Sequence, residues 1–475
     1  MRLRMSIFFA VAACLWLPNA ARAAAAGDLQ AGLAVVDITP PVPFRMCGYF
    51  NERLSTGIHD PLHAKAVVLR QGDRRLAMVF CDLVGISADI SLRAREAAEK
   101  KTGIPKDNIL IACTHTHTGP LFRCALRDYF HEQAIAKHGS DPYEKIDYPA
   151  FLADRFAEAV VRAHAALRPA ALAAGVAKEP GLSFNRRYHM KDGSVVFNPG
   201  KLNPNIVRPA GPIDPDVGIV LVRDAANARP LASLTVFALH LDTMGGTLYS
   251  ADFPYWLEQS LREEFDGSFI SLFGNGTCGD INHINFMSAH AQPGGGAETK
   301  RIGQFLAARV KAEIPKLKPL QQPRLAARTE TVLAPRQTYS PEEIAWAKAS
   351  MDKIGTDKLS FLDQVKAYKI MDLQSRKGDL LPIFVQAFRI SDDVALVALP
   401  GEVFVELGLA IKRASRFPVT MVVELAHDTP DYVPTRKAFA EGSYETVNSR
   451  IQPGGGEMAV EAAIRLLRQL RDDKP

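Results

Sequence analysis

Net charge is almost missing from this 475-residue chain. Lys and Arg number 57 against 52 Asp and Glu. Three of the basic residues, Arg2, Arg4 and Arg22, fall within the first 23 residues, which hold no acid, so the remainder carries a formal charge of only +2. A body this close to neutral gives no electrostatic reason to expect nucleic acid as a partner. Long hydrophobic runs are scarce too. Beyond residue 23 no stretch is long and apolar enough to read as a membrane helix, although peripheral contact with a membrane stays open. Cysteine is sparse: Cys14 near the start, then Cys47, Cys81, Cys113, Cys124 and Cys278. Those five are an odd number, so at least one is unpaired, and a chain of this length needs no disulfide to make a core. With no C-x-x-C pair, a structural zinc knuckle is not expected. Internal repeats and low-complexity linkers are also lacking.

What is present is the composition of a folded globular chain, 47% hydrophobic and 23% charged, which excludes a disordered tail, a collagen-like repeat and a coiled-coil rod. Residues 1–23 read as an export signal: basic Arg2 and Arg4, an apolar run from Met5 to Leu17, and Ala21-Arg22-Ala23 as the cleavage site. The mature chain is then periplasmic or secreted. The alternative is a lipoprotein, because Val11-Ala12-Ala13-Cys14 resembles a lipobox that would anchor the chain at Cys14.

Short apolar runs read as buried strands: Ala64–Leu69, Leu76–Asp82, Ile109–Cys113, Val217–Arg223, Ala232–Leu239, Phe269–Phe273, Pro382–Ile390, Val394–Leu399 and Val419–Leu425. Helical stretches separate them: Asp89–Thr102, Tyr148–Leu167, Tyr255–Phe265 and Glu457–Leu470. Ser340-Pro341-Glu342-Glu343 is a capping box with Pro at the first helical position. The expected fold is α/β, a mixed β-sheet core covered by helices. No break in composition marks a boundary, so residues 27–475 read as one domain with a helical excursion at about 337–377.

Five of the strands run into polar, ligand-type residues: Thr114-His115-Thr116-His117, His240-Leu241-Asp242, Gly274 through Gly279-Asp280-Ile281-Asn282-His283, Pro400-Gly401-Glu402, and Ala426-His427-Asp428 leading to Tyr432. Sites in open α/β sheets lie at the carboxyl ends of strands. His115 and His117, two apart, share a face if their strand continues that far. Two imidazoles, a third His and a Glu are donors that Zn²⁺ accepts. Spacing alone leaves the metal reading and the ordinary hydrogen-bonded reading both open. His59, His131, His138, His164 and His290 fit the ordinary one.

At these residues the chain resembles the catalytic domain of the neutral/alkaline ceramidases and their bacterial relatives. The likeness runs from Val36-Asp37-Ile38-Thr39-Pro40-Pro41 and Gly48-Tyr49 through Thr56–Leu62 and Asp82–Ser87 to the distinctive Thr114-His115-Thr116-His117-Thr118-Gly119-Pro120. It continues through Asn185-Arg186, His240, Gly279-Asp280, Pro400-Gly401-Glu402 and Tyr432…Tyr444-Glu445. The family's C-terminal immunoglobulin-like domain is expected to be absent, since the chain stops at Pro475. The resemblance implies an exported hydrolase of a lipid or small-molecule amide, with a place in sphingolipid metabolism. It implies one Zn²⁺ per chain, held by His115, His240, Glu402 and Tyr432 at the carboxyl ends of the strands. His117, Asp280, Asn282, Tyr444 and Arg186 would be the catalytic set, with His117 or Asp280 moving the proton and the others steadying the carbonyl. Gly48 would let backbone approach the site.

One position departs from the family. Its Gly-Asp-x-Ser-Pro-Asn motif reads Gly279-Asp280-Ile281-Asn282-His283-Ile284 here. Asn282 cannot act as a nucleophile, though it can donate to an oxyanion. Cys278, four positions upstream, reads as a buried structural thiol rather than a substitute nucleophile. Ceramide is therefore questioned more than hydrolysis is. A different amide or ester, such as an acylated sugar or N-acyl amine, and a zinc-binding lipid- or glycan-binding protein without turnover are the alternatives. Oligomeric state and disulfide pairing are not legible.

Overall fold

The computed structural model describes residues 29–473 apart from residues 291 and 322. The export signal and the Cys14 lipobox lie outside the described residues. No described helix is long and apolar enough to cross a membrane.

Two sheets form the core. The larger runs Ile270–Asn275, Pro230–Phe237, Asp216–Asp224, Arg168–Lys178, Leu29–Asp37, His63–Gln71, Arg74–Cys81, Ile109–Cys113 in spatial order, with Lys318–Pro319 paired to Arg168–Lys178. Most neighbours are antiparallel, but the last pair at each edge is parallel. The smaller sheet is Pro323–Pro335, Leu380–Ser391, Val394–Ala398 and Val419–Val423, again closing on a parallel pair. The expected α/β class with a mixed sheet is what the chain adopts. Every apolar run read as a strand is one, to within a few residues at either end.

The sheets pack face to face. Met78, Leu110, Val220 and Leu234 of the larger meet Phe388, Leu396 and Met421 of the smaller in one buried cluster. Helices cover the outer faces: Ala88–Thr102 and Tyr148–Ala165 on one flank, Phe253–Glu264 and Gly296–Glu313 on another, and Gly455–Asp472 on the smaller sheet. The Ser340 capping box forms as read, and Pro341–Ser350 follows it. A second helix, Phe361–Ser375, precedes the strand Leu380–Ser391.

What positions the site is the segment after Val419–Val423. Glu424 N donates to Asn275 O at 2.9 Å, Cys113 N to Leu425 O at 3.1 Å, and His427 N to Ile111 O at 2.8 Å. This segment therefore splices the two edges of the larger sheet together. Asn275 Nδ2 donates across the same seam to Thr114 O at 3.2 Å. Strand ends that are far apart along the sheet thus open onto one place.

Candidate metal centre

Three imidazoles meet at the seam. His115 Nε2 lies 3.0 Å from His240 Nε2 and 3.4 Å from His117 Nε2. The strand does not carry His115 and His117 there as a continuous pleat. It ends at Cys113, and His115 takes φ +81°. That left-handed turn, costly for a residue with a Cβ, aims the ring inward. Gly48, at φ +105°, packs directly on His117, where a Cβ would fall 2.7 Å from the His117 Cβ, so only glycine lets the loop come this close.

The proton inventory makes this cluster unusual. His115 Nδ1 is 2.8 Å from Val84 O, an acceptor only, so Nδ1 carries the hydrogen and Nε2 presents a lone pair. Burial pushes His117 down to about 3, with His115 adding to the effect, and pushes His240 far below its usual value. Ring nitrogens then face one another within hydrogen-bond range, an arrangement a cation stabilises. Glu402 Oε2 lies 3.3 Å from His115 Nε2 and 3.8 Å from His240 Nε2, buried without a hydrogen-bond donor. Burial opposes ionisation of Glu402, yet His115 and His240 overcome it and hold the carboxyl below the usual range. Tyr432 lines the same cavity as Glu402. Three nitrogens, a carboxylate oxygen and a phenol are a donor set suited to a first-row divalent ion.

The remaining expected residues separate into two groups. Tyr444 lines the same cavity as His115, His117, Glu402 and Tyr432, its ring centre 5.3 Å from that of Tyr432. Arg186 stands one hydrogen bond back: its Nη2 donates to the Tyr432 hydroxyl at 3.0 Å and to Gly279 O at 2.9 Å, and its Nε to Glu445 at 2.9 Å. Asp280 and Asn282, by contrast, spend their polar atoms elsewhere. Asp280 accepts from Val405 N at 2.9 Å and Asn185 Nδ2 at 2.7 Å, and burial raises it to about 6. Asn282 donates to Asn198 Oδ1 at 2.9 Å and accepts from Ile284 N at 3.0 Å. Cys278 is a buried thiol that donates to Glu424 at 3.0 Å, and burial raises its pKa well above normal.

Sequence reasoning passed over Asp242. His283, in the family's proline position, holds its Nδ1 3.3 Å from Asp242 Oδ1. Burial opposes ionisation of Asp242, but His283, His240 and His117 together hold it well below the carboxylate range. The available signal was Asp242 following His240 by two in the same strand-end segment. A second acid–imidazole group, His131, Asp141 and Glu144, is already neutralised by Arg45 and Arg127.

Comparison with known proteins agrees with this architecture. The profile of the neutral/alkaline non-lysosomal ceramidase N-terminal domain matches residues 29–298. Neutral ceramidase A of Dictyostelium discoideum is 23% identical over 296 residues, covering 59% of this chain and 39% of that protein. The neutral ceramidase of Pseudomonas aeruginosa is 26% identical over 280 residues, covering 56% and 38%. These matches therefore reach well under two thirds of the relatives' length. The crystal structure of the Pseudomonas aeruginosa enzyme superposes with a TM-score of 0.70 at 21% identity, over 94% of this chain and 75% of that one. The chain belongs to the neutral/alkaline non-lysosomal ceramidase family.

Proposed function

We propose that this chain is an exported, zinc-dependent hydrolase of an N-acyl amide bond, in a single domain spanning residues 27–475. The observation that carries the reading is the convergence of the His115 and His240 Nε2 atoms on the Glu402 Oε2, at 3.3 and 3.8 Å, with His117 Nε2 3.4 Å from that of His115. His115, His240, Glu402 and Tyr432 would hold the ion. When bound, Zn²⁺ supplies a Lewis acid for the carbonyl and lowers the pKa of a water to about 7.

His117 is the group placed to move protons. Its Nε2 faces the cluster and its Nδ1 has no partner, so the ring has a nitrogen free to take up a proton. Asp280 is the weaker candidate, because both its oxygens are occupied. Tyr444 borders the cavity and would donate to the substrate carbonyl. Arg186 acts through Tyr432, orienting its hydroxyl. Asn282 uses one Nδ2 hydrogen on Asn198 and would offer the oxyanion the other.

The test is turnover of a panel of N-acyl amides by the metal-loaded protein, with and without a chelator. Chelator-sensitive amide cleavage supports the reading. A protein that binds zinc and cleaves none of the panel sinks it.

A further inference from the structure

We infer that the helix Phe361–Ser375 sets the size of the group the site accepts, and that the acyl portion of the substrate is short, on the order of two to four carbons. The inference rests on the amide-hydrolase reading above. The cavity at the imidazoles is about 100 Å³. An engineered cavity of about 150 Å³ just takes benzene, and sites for drug-sized ligands run to about 300–1,000 Å³. A long alkyl chain would have to run out of the cavity past its rim.

The apolar wall shows what it meets. Phe50, Leu121, Leu126 and Tyr368 contribute apolar lining to the same cavity as Glu402. Beyond them lies a collar of aromatic rings. The Phe361 ring centre is 5.4 Å from Tyr444, 5.8 Å from Phe197 and 5.9 Å from Phe50. Phe50 is in turn 5.6 Å from Tyr368, and Phe197 is 4.7 Å from Tyr444. These spacings are those of packed aromatic pairs. A hydrocarbon laid against this wall would reach Tyr368, with Phe361 packed behind Phe50 and Tyr444. The acyl group is the apolar part next to the carbonyl, so it is the part this wall fits.

The collar cannot swing aside freely. Arg450, fully buried, bonds Asp372 on the same helix at 2.9 Å and Asp431, beside Tyr432, at 2.5 Å. Its guanidinium also lies 5.1 Å over the Tyr368 ring. The excursion is thus pinned to the segment that carries a proposed metal ligand. Phe361 itself is 44% exposed, so it can be changed without opening the core.

The experiment uses the metal-loaded full chain and the acetyl, butyryl and octanoyl amides of p-nitroaniline. The expected wild-type kcat/KM for acetyl exceeds that for octanoyl by about a hundredfold or more, since misfit of even one methylene is worth roughly tenfold or more. Phe361→Ala should narrow that ratio at least about tenfold, Phe361→Trp should widen it, and Leu333→Ala, on an exposed strand face, should leave it alone. Preference for octanoyl in the wild type, or a ratio indifferent to both Phe361 variants, overturns the inference while leaving hydrolysis intact. Absence of turnover across the whole series would instead bring down the hydrolase reading, and this inference with it.

Discussion

Replacing Asp372 by Asn probes the brace between the helical excursion and the metal centre. Arg450 is fully buried, and its charge is met by Asp372 at 2.9 Å and Asp431 at 2.5 Å, with Asn448 accepting two further bonds. Burial opposes ionisation of Asp372, but Arg450 and Arg376 overcome this and hold it at about 2, whereas at Asp431 burial outweighs the guanidinium. Breaking a buried pair costs about 3–5 kcal/mol. Because Asp431 remains, the lower figure applies, about 3 kcal/mol. In a chain larger than 250 residues each kcal/mol moves the midpoint by roughly 2 °C, so Asp372→Asn should lower Tm by about 6 °C. The pH dependence has a definite sign. A carboxyl with a depressed pKa contributes stability above its unfolded value, near 3.9, and loses it as pH falls through the folded value. The gap between wild type and variant should therefore hold from pH 7 to pH 5 and narrow only below about pH 4. Thermal unfolding followed by circular dichroism across that range is the assay. A variant melting within about 1 °C of wild type, or a gap that already closes between pH 7 and 5, would show that Arg450 does not depend on this partner.

Further outcomes are expected. His115→Ala and His240→Ala should each strip the metal as measured by elemental analysis, and Tyr444→Phe should lower turnover with metal content full; loss of zinc in Tyr444→Phe would mean the phenol ligates. Gly48→Ala places a methyl 2.7 Å from His117 at a backbone φ of +105°, so turnover should fall and Tm drop by a cost on the order of 1–3 kcal/mol, and unchanged kinetics would deny His117 its role. Asn282→Ser alone should not confer ceramide cleavage, because Asn198 and the Ile284 amide already fix that position; gain of ceramide turnover would show that only the serine had been missing.

Legibility in the sequence followed burial. Strands buried on both faces stand out as apolar runs, and the residues ending them were found because a ligand-type side chain after such a run is conspicuous. Arg168–Lys178 was missed because it is rich in alanine, which favours helix, and pairing with Asp216–Asp224 overrides that preference. Pro323–Pro335 is mostly half-buried and shows no run. The face-sharing argument for His115 and His117 assumed a pleat, whereas a left-handed residue brings them together. Motif spacing also cannot show where a buried side chain spends its hydrogen bonds, so Asp280 and Asn282 read as free when they are occupied. Asp242 escaped notice because its partner His283 lies 41 residues away on another loop.

The seam at Glu424–His427 makes the site a product of the whole chain. His115 and His240 belong to the larger sheet, while Glu402 and Tyr432 arrive with the smaller one, beyond residue 298. A fragment ending there would carry two of the four proposed donors and would lack the segment that draws the sheet edges together. Metal affinity should therefore report completion of folding: donors about 300 residues apart come within range only once the last contacts, which are also the slowest to close entropically, have formed.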